Sequence, residues 1–454
     1  GLSDEELRDW MDELGGSWGG LSGDEKRRLY GLLAEGLDGE QLARVARAVF
    51  AEAPESEREF IESVAEHADP ATQRELIAAL TGDIDAEGHA DLDVGLGSTT
   101  WTKTYGNAET RTVAALLAQL GSEGRTQAEF DGAVADLARA GKLDEVLLVA
   151  TGRVDGTGAV AIGSPGIIRT SFAVGPLIDI IDGAARSDDP EVRRQVLIAS
   201  SHALEAVEFS DEFLQKTQVE KRPETPLILS SLYGLLQVPP PKPEWTPPAN
   251  DLPRKDYTDD PGPLLDRLRA QNPRVQESAD YYDVDPRAIA LVAHVEAKYN
   301  NDIARQAGLG RGEGFGQMHH SAAQAIHPEW SPEQSEAARN SAAYAPPLIA
   351  ADLDAKARAF ELATGGQISI RNDPVALAWA YNNSLATVTA EAEKARQALD
   401  RGQPVVLDLK QGSELGEYGM AGHARRDLEA GVVDDFASSA PPNESPVGYR
   451  VETL

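Results

Sequence analysis

The hydrophobic residues of positions 1–238 recur three or four residues apart, in short blocks separated by polar residues. This spacing places side chains on one face of a helix, so it predicts a series of amphipathic helices. Asp69-Pro70 is typical of a helix start, because Asp caps free backbone N–H groups and Pro suits the first turn, and Asp189-Pro190 repeats it. The pattern predicts a mainly α region with a candidate break near residues 82–107.

Residues 284–296 combine a strong helix start with an unusually apolar sequence. Asp285 and Pro286 supply the start, and residues 288–295 are apolar on nearly every side. Such a pattern is typical of a helix buried inside a domain. The helix ends at Glu296, so an acidic residue stands at a position that the apolar pattern predicts to be buried.

Glu296 lies on the same helical row as Ile289, Val292 and Ala293, and neither Lys nor Arg occupies the preceding turn. Its carboxyl group is therefore expected beside apolar side chains, where desolvation raises a carboxyl pKa. A carboxylic acid that stays protonated near neutral pH can protonate a leaving-group oxygen. The alternative is an ordinary exposed glutamate at a helix end.

Glycines occupy every second position from Gly308 to Gly316, and Gln317 follows them. Glycine permits positive φ and lets the backbone approach a large ligand closely. A phosphate-binding loop is not favoured, because no strand precedes these glycines. A further helix, capped by Ser321, is predicted after the loop.

Residues 373–399 are predicted to form another helix, with Ala380-Tyr381-Asn382 near its centre. Three motifs of this chain resemble the lysozyme-like catalytic domain of soluble lytic transglycosylases and related muramidases. They are a helix that ends in Glu before an aromatic-Asn pair, a glycine loop that ends in Gln, and a later Ala-Tyr-Asn. In this chain the elements are Glu296 with Tyr299-Asn300, residues 314–323, and Ala380-Tyr381-Asn382.

This resemblance extends over about residues 264–400 and implies roles for individual side chains. Glu296 would be the catalytic acid, and Tyr381 would support it. The residues expected to bind the glycan are Gly314, Phe315, Gln317, Met318, Tyr299 and Asn382. The chain departs from the family pattern at Ala297, where Ser is usual, at His320, where Pro is usual, and at Ser384, where Gly is usual.

The reaction implied by the resemblance is cleavage of the MurNAc–GlcNAc backbone of peptidoglycan. In a lytic transglycosylase, the carboxylate that has given up its proton acts as a base while the 6-hydroxyl of the sugar closes a 1,6-anhydro ring. An inverting hydrolase would need a second carboxylate about 6.5–9.5 Å away. Glu313 and Asp302 are the candidates for that role.

Two other functions stay open on the sequence alone. The lysozyme-like domain could bind glycan without cutting it, as a structural component of a secretion or phage-like apparatus, or it could cut another β-1,4-linked amino sugar polymer. The expected partners are peptidoglycan glycan strands, together with an apparatus protein or, for an antibacterial effector, an immunity protein. No cofactor is expected.

Two groups of side chains suggest metal sites but fit them poorly. Residues 82–94 place acidic residues at several positions of an EF-hand loop, but Val94 stands where the bidentate Glu is required. His319, His320 and His327 match no standard zinc spacing. An acidic solvated loop and a set of cleft or helix-start histidines are expected instead, with no metal.

Proline makes up nine of the 25 residues at 239–263, a composition typical of a semi-rigid linker. The expected organisation is therefore mainly α: a helical targeting or scaffold region over 1–238, this linker, a lysozyme-like catalytic domain over 264–400 and a C-terminal extension over 401–454. The first region loosely resembles the helical regions that precede toxin or peptidoglycan-hydrolase modules.

The net charge of −33 is concentrated in residues 1–238, which carry about −22. Such a surface argues against nucleic acid as a partner, because phosphate binding needs cationic patches. No apolar stretch approaches the roughly 18 residues of a membrane span, and the absence of cysteine excludes disulfides. The first residue, Gly1, suggests a processed start. The expected place of action is the periplasm or cell wall, which the protein would reach by secretion, by injection or with a virion.

Overall fold

A computed structural model of the protein describes residues 21–87, 89–93, 101–122, 126–157, 168–208, 223–300, 314–409, 419–437 and 448–452. The described residues are mainly helical, as the sequence predicted. They form two compact units, residues 1–203 and residues 204–454. No helix among the described residues is long and apolar enough to cross a membrane.

Within its described residues, the first unit contains eight α-helices and the beginning of a ninth. Local capping explains several starts: Ser22 forms a capping box with Glu25 at the first helix, and Asp69 caps the helix that begins at Pro70, as predicted. The helices are α1 (Gly23–Gly36), α2 (Gly39–Glu52), α3 (Glu57–His67), α4 (Pro70–Leu80), α5 (Ala108–Ser122), α6 (Gln127–Arg139), α7 (Leu143–Ala150), α8 (Gly175–Ala185) and α9 (Pro190–Glu208), which continues into the second unit.

A four-stranded antiparallel sheet also belongs to the first unit, and the helical pattern of the sequence did not predict it. The strands follow one another in space in chain order: β1 (His89–Asp93), β2 (Trp101–Tyr105), β3 (Val154–Thr157) and β4 (Ile168–Ser171). They are only four or five residues long and largely polar, too short for a period of two to stand out. The acidic segment with EF-hand spacing leads into β1, and its Asp85 accepts a hydrogen bond from the backbone N–H of Glu87 at 3.0 Å.

The second unit is built around one central helix, which is the apolar helix predicted at 288–295. This helix, α13, contacts α11, α12, α16, α17 and α19. The helices are α10 (Glu224–Leu235), α11 (Pro261–Ala270), α12 (Asn272–Tyr282), α13 (Pro286–Val295), α14 (His320–Ile326), α15 (Pro332–Arg339), α16 (Ala345–Ala363), α17 (Pro374–Tyr381), α18 (Leu385–Asp400) and α19 (Gly419–Glu429).

Two predicted helix boundaries in the second unit are wrong. The single helix expected over 373–399 is divided into α17 and α18, because Ser384 caps the second of them and its side chain accepts from the backbone N–H of Thr387 at 3.2 Å. The helix expected to be capped by Ser321 begins at His320, so His319 takes the cap position and Ser321 lies inside the helix.

The proline-rich stretch 239–263 lies within the second compact unit, whereas the sequence placed a linker there. Trp245 is 1% exposed and packs against Tyr281 and Tyr282. The backbone N–H of Asp256 donates to the carbonyl of Asn340 at 2.9 Å. Through these contacts, the proline-rich stretch packs against the helices of the second unit.

The described part of the C-terminal extension also belongs to the second unit. Helix α19 buries Met420, Ala421 and Ala424. The short strands β5 (Val406–Asp408) and β6 (Arg450–Glu452) pair in parallel. The extension therefore contributes to the same core as α13.

Candidate active site

Glu296 directly follows the last residue of α13 and is its C-cap. It begins a π-helical turn, Glu296–Asn300, and only 2% of its surface is exposed. Ile289, Val292 and Ala293, on the same helical row, are fully buried. The alternative of an exposed glutamate at a helix end is therefore wrong. A widened turn of this kind is frequent at functional sites.

Tyr381 is the last residue of α17 and lies close enough to Glu296 for the two groups to interact electrostatically. Burial raises the pKa of Tyr381 well above its usual range, and the negative charges of Asp352 and Glu296 raise it further. The buried phenol hydroxyl has no hydrogen-bond partner within the described part of the chain. Tyr381 is thus a neutral O–H donor beside two acids.

Two glycines of the predicted loop, Gly314 and Gly316, are required by close packing against helices α15, α16 and α17, whereas Gly308, Gly310 and Gly312 lie outside the described residues. Gly314 has a φ of +77°, and a Cβ there would collide with the carbonyl of Arg339. A Cβ at Gly316 would collide with the hydroxyl of Tyr381 and crowd the side chain of Ile349. The loop therefore brings its backbone directly against Tyr381, where only glycine fits.

The other predicted glycan-binding residues of this loop are held by contacts within the protein. Gln317, at φ +46°, donates from Nε2 to the hydroxyl of Tyr257 at 2.8 Å and to the carbonyl of Gly314 at 3.1 Å. Phe315 and Met318 are buried. The structure thus places both apolar side chains in the interior of the unit.

The remaining predicted residues are described to different extents. Asn382 is half-buried and follows Tyr381 as the C-cap of α17. Tyr299 lies in the π-helical turn after Glu296. The two candidates for a second carboxylate, Asp302 and Glu313, lie outside the described residues.

A buried acid that the sequence analysis missed, Asp352, interacts with Tyr381. Asp352 projects from α16 and accepts a hydrogen bond from the hydroxyl of Tyr233 at 2.7 Å. One turn along α16, buried Lys356 donates to the carbonyl of Asn383. Burial lowers the pKa of Lys356, an effect that the acidic Asp352 and Glu208 oppose.

Glu208, the last residue of α9, is a further member of this polar cluster, because it interacts electrostatically with Lys356. Burial raises the pKa of Glu208 to about 7, although the positive charge of Lys356 opposes the shift. The sequence does contain a clue to the cluster: Asp352 and Lys356 stand four residues apart, with Asp354 between them, in the stretch 345–357, whose other residues are apolar. That spacing is equally typical of an ion pair on a helix surface, so it did not mark a buried site.

All three histidines considered as metal ligands have other partners. The ring of His327 stacks on Trp330 with centroids 3.6 Å apart, and its Nδ1 lies 2.9 Å from a carboxylate oxygen of Glu329. His320 contacts the hydroxyl of Ser335 through Nδ1 at 3.3 Å. Across the described ranges, three or more His, Asp or Glu side chains nowhere gather closely enough to hold a metal ion.

The arrangement brings together a buried carboxyl group and a neutral phenol at the ends of α13 and α17 and a second buried acid from the middle of α16. Such a site can hold and deliver a proton away from water, which is the requirement of general acid catalysis. No protein-family model, no curated protein and no solved structure matches this chain. The likeness to lytic transglycosylases is thus carried by the motif residues alone.

Proposed function

We propose that the second unit cleaves the glycan strands of peptidoglycan, with Glu296 as the general acid. The observation that carries the proposal is the burial of Glu296 at the end of an apolar helix, next to the phenol of Tyr381. A carboxyl group in such surroundings favours its protonated form. The packing of Gly316 against the same phenol supports a role for the glycine loop at this site.

In the proposed mechanism, Glu296 transfers its proton to the glycosidic oxygen while the C1–O bond breaks and an oxocarbenium-like transition state develops. The resulting carboxylate then accepts the proton of the 6-hydroxyl, whose oxygen bonds to C1 and closes the 1,6-anhydro ring. The proton returns to Glu296, so the cycle needs no second acid. Tyr381, a neutral donor, would stabilise the carboxylate form through its hydroxyl.

A hydrolytic variant of the same proposal uses water in place of the 6-hydroxyl and needs a second carboxylate as base. Asp352 is the described candidate, because its charge also acts on Tyr381. The two mechanisms differ in their products: 1,6-anhydroMurNAc ends from the transglycosylase route and reducing ends from hydrolysis.

The experiment that tests the proposal is a digest of purified peptidoglycan with mass spectrometry of the released muropeptides. The wild-type protein is compared with Glu296→Gln and with Glu333→Gln, a matched control at an exposed position on α15. We expect release by the wild type and by Glu333→Gln, and a loss on the order of 10²-fold or more for Glu296→Gln, as for a missing general acid.

Absence of release from all three proteins, at several salt concentrations, would contradict the proposal. Sedimentation of the protein with insoluble peptidoglycan would then favour the glycan-binding or structural alternative. Release from chitin but not from peptidoglycan would instead identify a different amino sugar polymer as the substrate. We also propose that the protein acts on the periplasmic face of the wall, so expression in a bacterial periplasm is expected to cause lysis that Glu296→Gln abolishes.

A further inference from the structure

The C-terminal helix α19 packs against both helices that carry the proposed site. It contacts α13, which ends at Glu296, and α17, which ends at Tyr381. Its apolar face is buried, while its one buried carboxylate, Asp427, is only 5% exposed. A buried acid costs free energy unless it is well paired, so its partners indicate its role.

Asp427 contacts the residues two before and two after Glu296. Nζ of Lys298 donates to Oδ1 of Asp427 at 3.0 Å. Nε2 of His294 lies 3.3 Å from Oδ2, although the two atoms are not aligned as a hydrogen bond. One carboxylate on α19 therefore holds the chain on both sides of the proposed acid.

The charge of Asp427 is maintained by these neighbours. Burial alone would raise the pKa of Asp427, but His294 and Lys298 outweigh burial and hold the pKa below its ordinary value. Asp427 is thus an anion at neutral pH, and its contact with Lys298 is a charge-assisted hydrogen bond. Bonds of this type are about twice as strong as neutral ones.

The turn that Asp427 holds is one that benefits from an external anchor. Residues 296–300 form a π-helical turn, which is rarer and less favourable than an α-helical one. Lys298 belongs to this turn, and its side chain is 37% exposed. Without Asp427, the hydrogen bond that ties Lys298 of this turn to α19 would be lost.

We infer that Asp427 is a positioning residue for Glu296, which it holds in place through Lys298 and His294 on either side. The catalytic part of this inference rests on the proposed function, whereas the structural part does not. The C-terminal segment would then be an integral part of the active site, although none of its described residues belongs to the motifs that resemble the family.

Hydrogen exchange followed by mass spectrometry on the full chain tests the structural part. The variants are Asp427→Asn, Lys298→Gln and the control Glu429→Gln, which removes an exposed charge from the same helix. We expect amides 296–300 to exchange about tenfold faster or more in the first two variants, as for loss of a charged hydrogen bond. Exchange in Glu429→Gln should match the wild type.

Lys298→Gln keeps the inference testable should Asp427→Asn fail to fold, because the side chain of Lys298 is partly exposed and Asp427 keeps His294 as a neighbour. In the double variant, exchange should be no faster than in the more affected single variant, since both changes remove the same bond. Unchanged exchange at 296–300 in the folded variants would overturn the inference, whatever the activity.

Kinetics of glycan release test the catalytic part. A displaced acid lowers kcat on the order of 10–100-fold, while KM should stay within about threefold because substrate contacts are retained. An active wild type with unchanged kcat in Asp427→Asn would overturn the positioning role. An inactive wild type would contradict the proposed function instead, and the exchange experiment would still decide whether Asp427 holds the turn.

Discussion

The two units of the chain differ in the burial of their acidic side chains. Among the described residues of the first unit, no Asp or Glu side chain is buried, whereas the second unit buries Asp285, Glu296, Asp352, Asp354, Glu391 and Asp427. In the first unit, ion pairs such as Arg47 with Asp83 leave both side chains more than 40% exposed. Acidity there is a property of the surface.

Burial of a carboxylate costs free energy, so each buried acid of the second unit needs a physical reason. Several have a structural one: Asp354 accepts from Arg371 at 2.6 Å and from Arg358 at 2.8 Å. Glu296 and Asp352 differ because both act on the buried phenol of Tyr381. Interacting buried acids are typical of functional sites. Glu296 and Asp352 therefore differ from Asp354, whose charge is balanced by arginines that support the fold.

The largest expected effect comes from breaking a buried structural pair. Arg371→Met leaves fully buried Asp354 without its 2.6 Å partner and should lower the free energy of unfolding of the second unit by about 3–5 kcal/mol. The matched change in the first unit, Arg47→Met, should cost at most about 1 kcal/mol, because its pair is exposed. Hydrogen exchange in increasing urea, read peptide by peptide, reports each unit separately. Equal losses in both units would contradict the expectation that the buried ion pair contributes more to stability than the exposed one.

A smaller effect is expected in the pH dependence of stability. The folded-state pKa of Glu208 is raised from 4.5 to about 7, so the folded protein binds this proton more tightly than the unfolded chain. The stabilisation is therefore complete below pH 4.5, declines as the pH rises towards 7 and is absent above it. It should amount to about 1–3 kcal/mol.

The measurement is urea unfolding of the second unit at pH 4.5 and at pH 8. Glu208→Gln, which imitates the protonated form, should flatten the difference between the two values, whereas Glu40→Gln, at an exposed position of α2, should leave it as in the wild type. A wild-type pH dependence that survives in Glu208→Gln would place the responsible group elsewhere.

Local and periodic features of the sequence predicted part of this arrangement. Asp285 and Asp373 cap their helices as expected, each before a proline. The apolar run at 288–295 is the central buried helix, and the helical row correctly predicted the burial of Glu296. These features depend on neighbours a few residues away, and the sequence displays such neighbours directly.

The features that the sequence did not reveal depend on contacts between distant residues. Asp352 and Lys356 have the spacing of a surface ion pair, and contacts with residues far away in the chain, such as that of Asp352 with Tyr233 on α10, make them part of the interior. Asp427 reaches Lys298 across 129 positions of the chain. Strands β2 and β3 of the first unit are likewise paired between residues far apart in the chain, such as Thr102 with Gly156.

The smallest expected effect concerns Ser384, which stands where the family pattern has Gly. In this structure Ser384 caps α18, so Ser384→Ala should lower the free energy of unfolding by about 1 kcal/mol, whereas Ser384→Gly should cost only a few tenths. Ser22→Ala and Ser22→Gly, at the capped start of α1, provide the same pair of changes in the first unit, with the same expected costs. Capping depends on local backbone geometry and not on buried charge, so the two units should respond alike here, in contrast to their response to the loss of an ion pair. A cost above about 2 kcal/mol for Ser384→Gly alone would show that the contact of Ser384 with Glu205 at 3.3 Å adds to the cap. Ser384, which stands where the family pattern has Gly, would then stabilise the fold through Glu205 as well as through the start of α18.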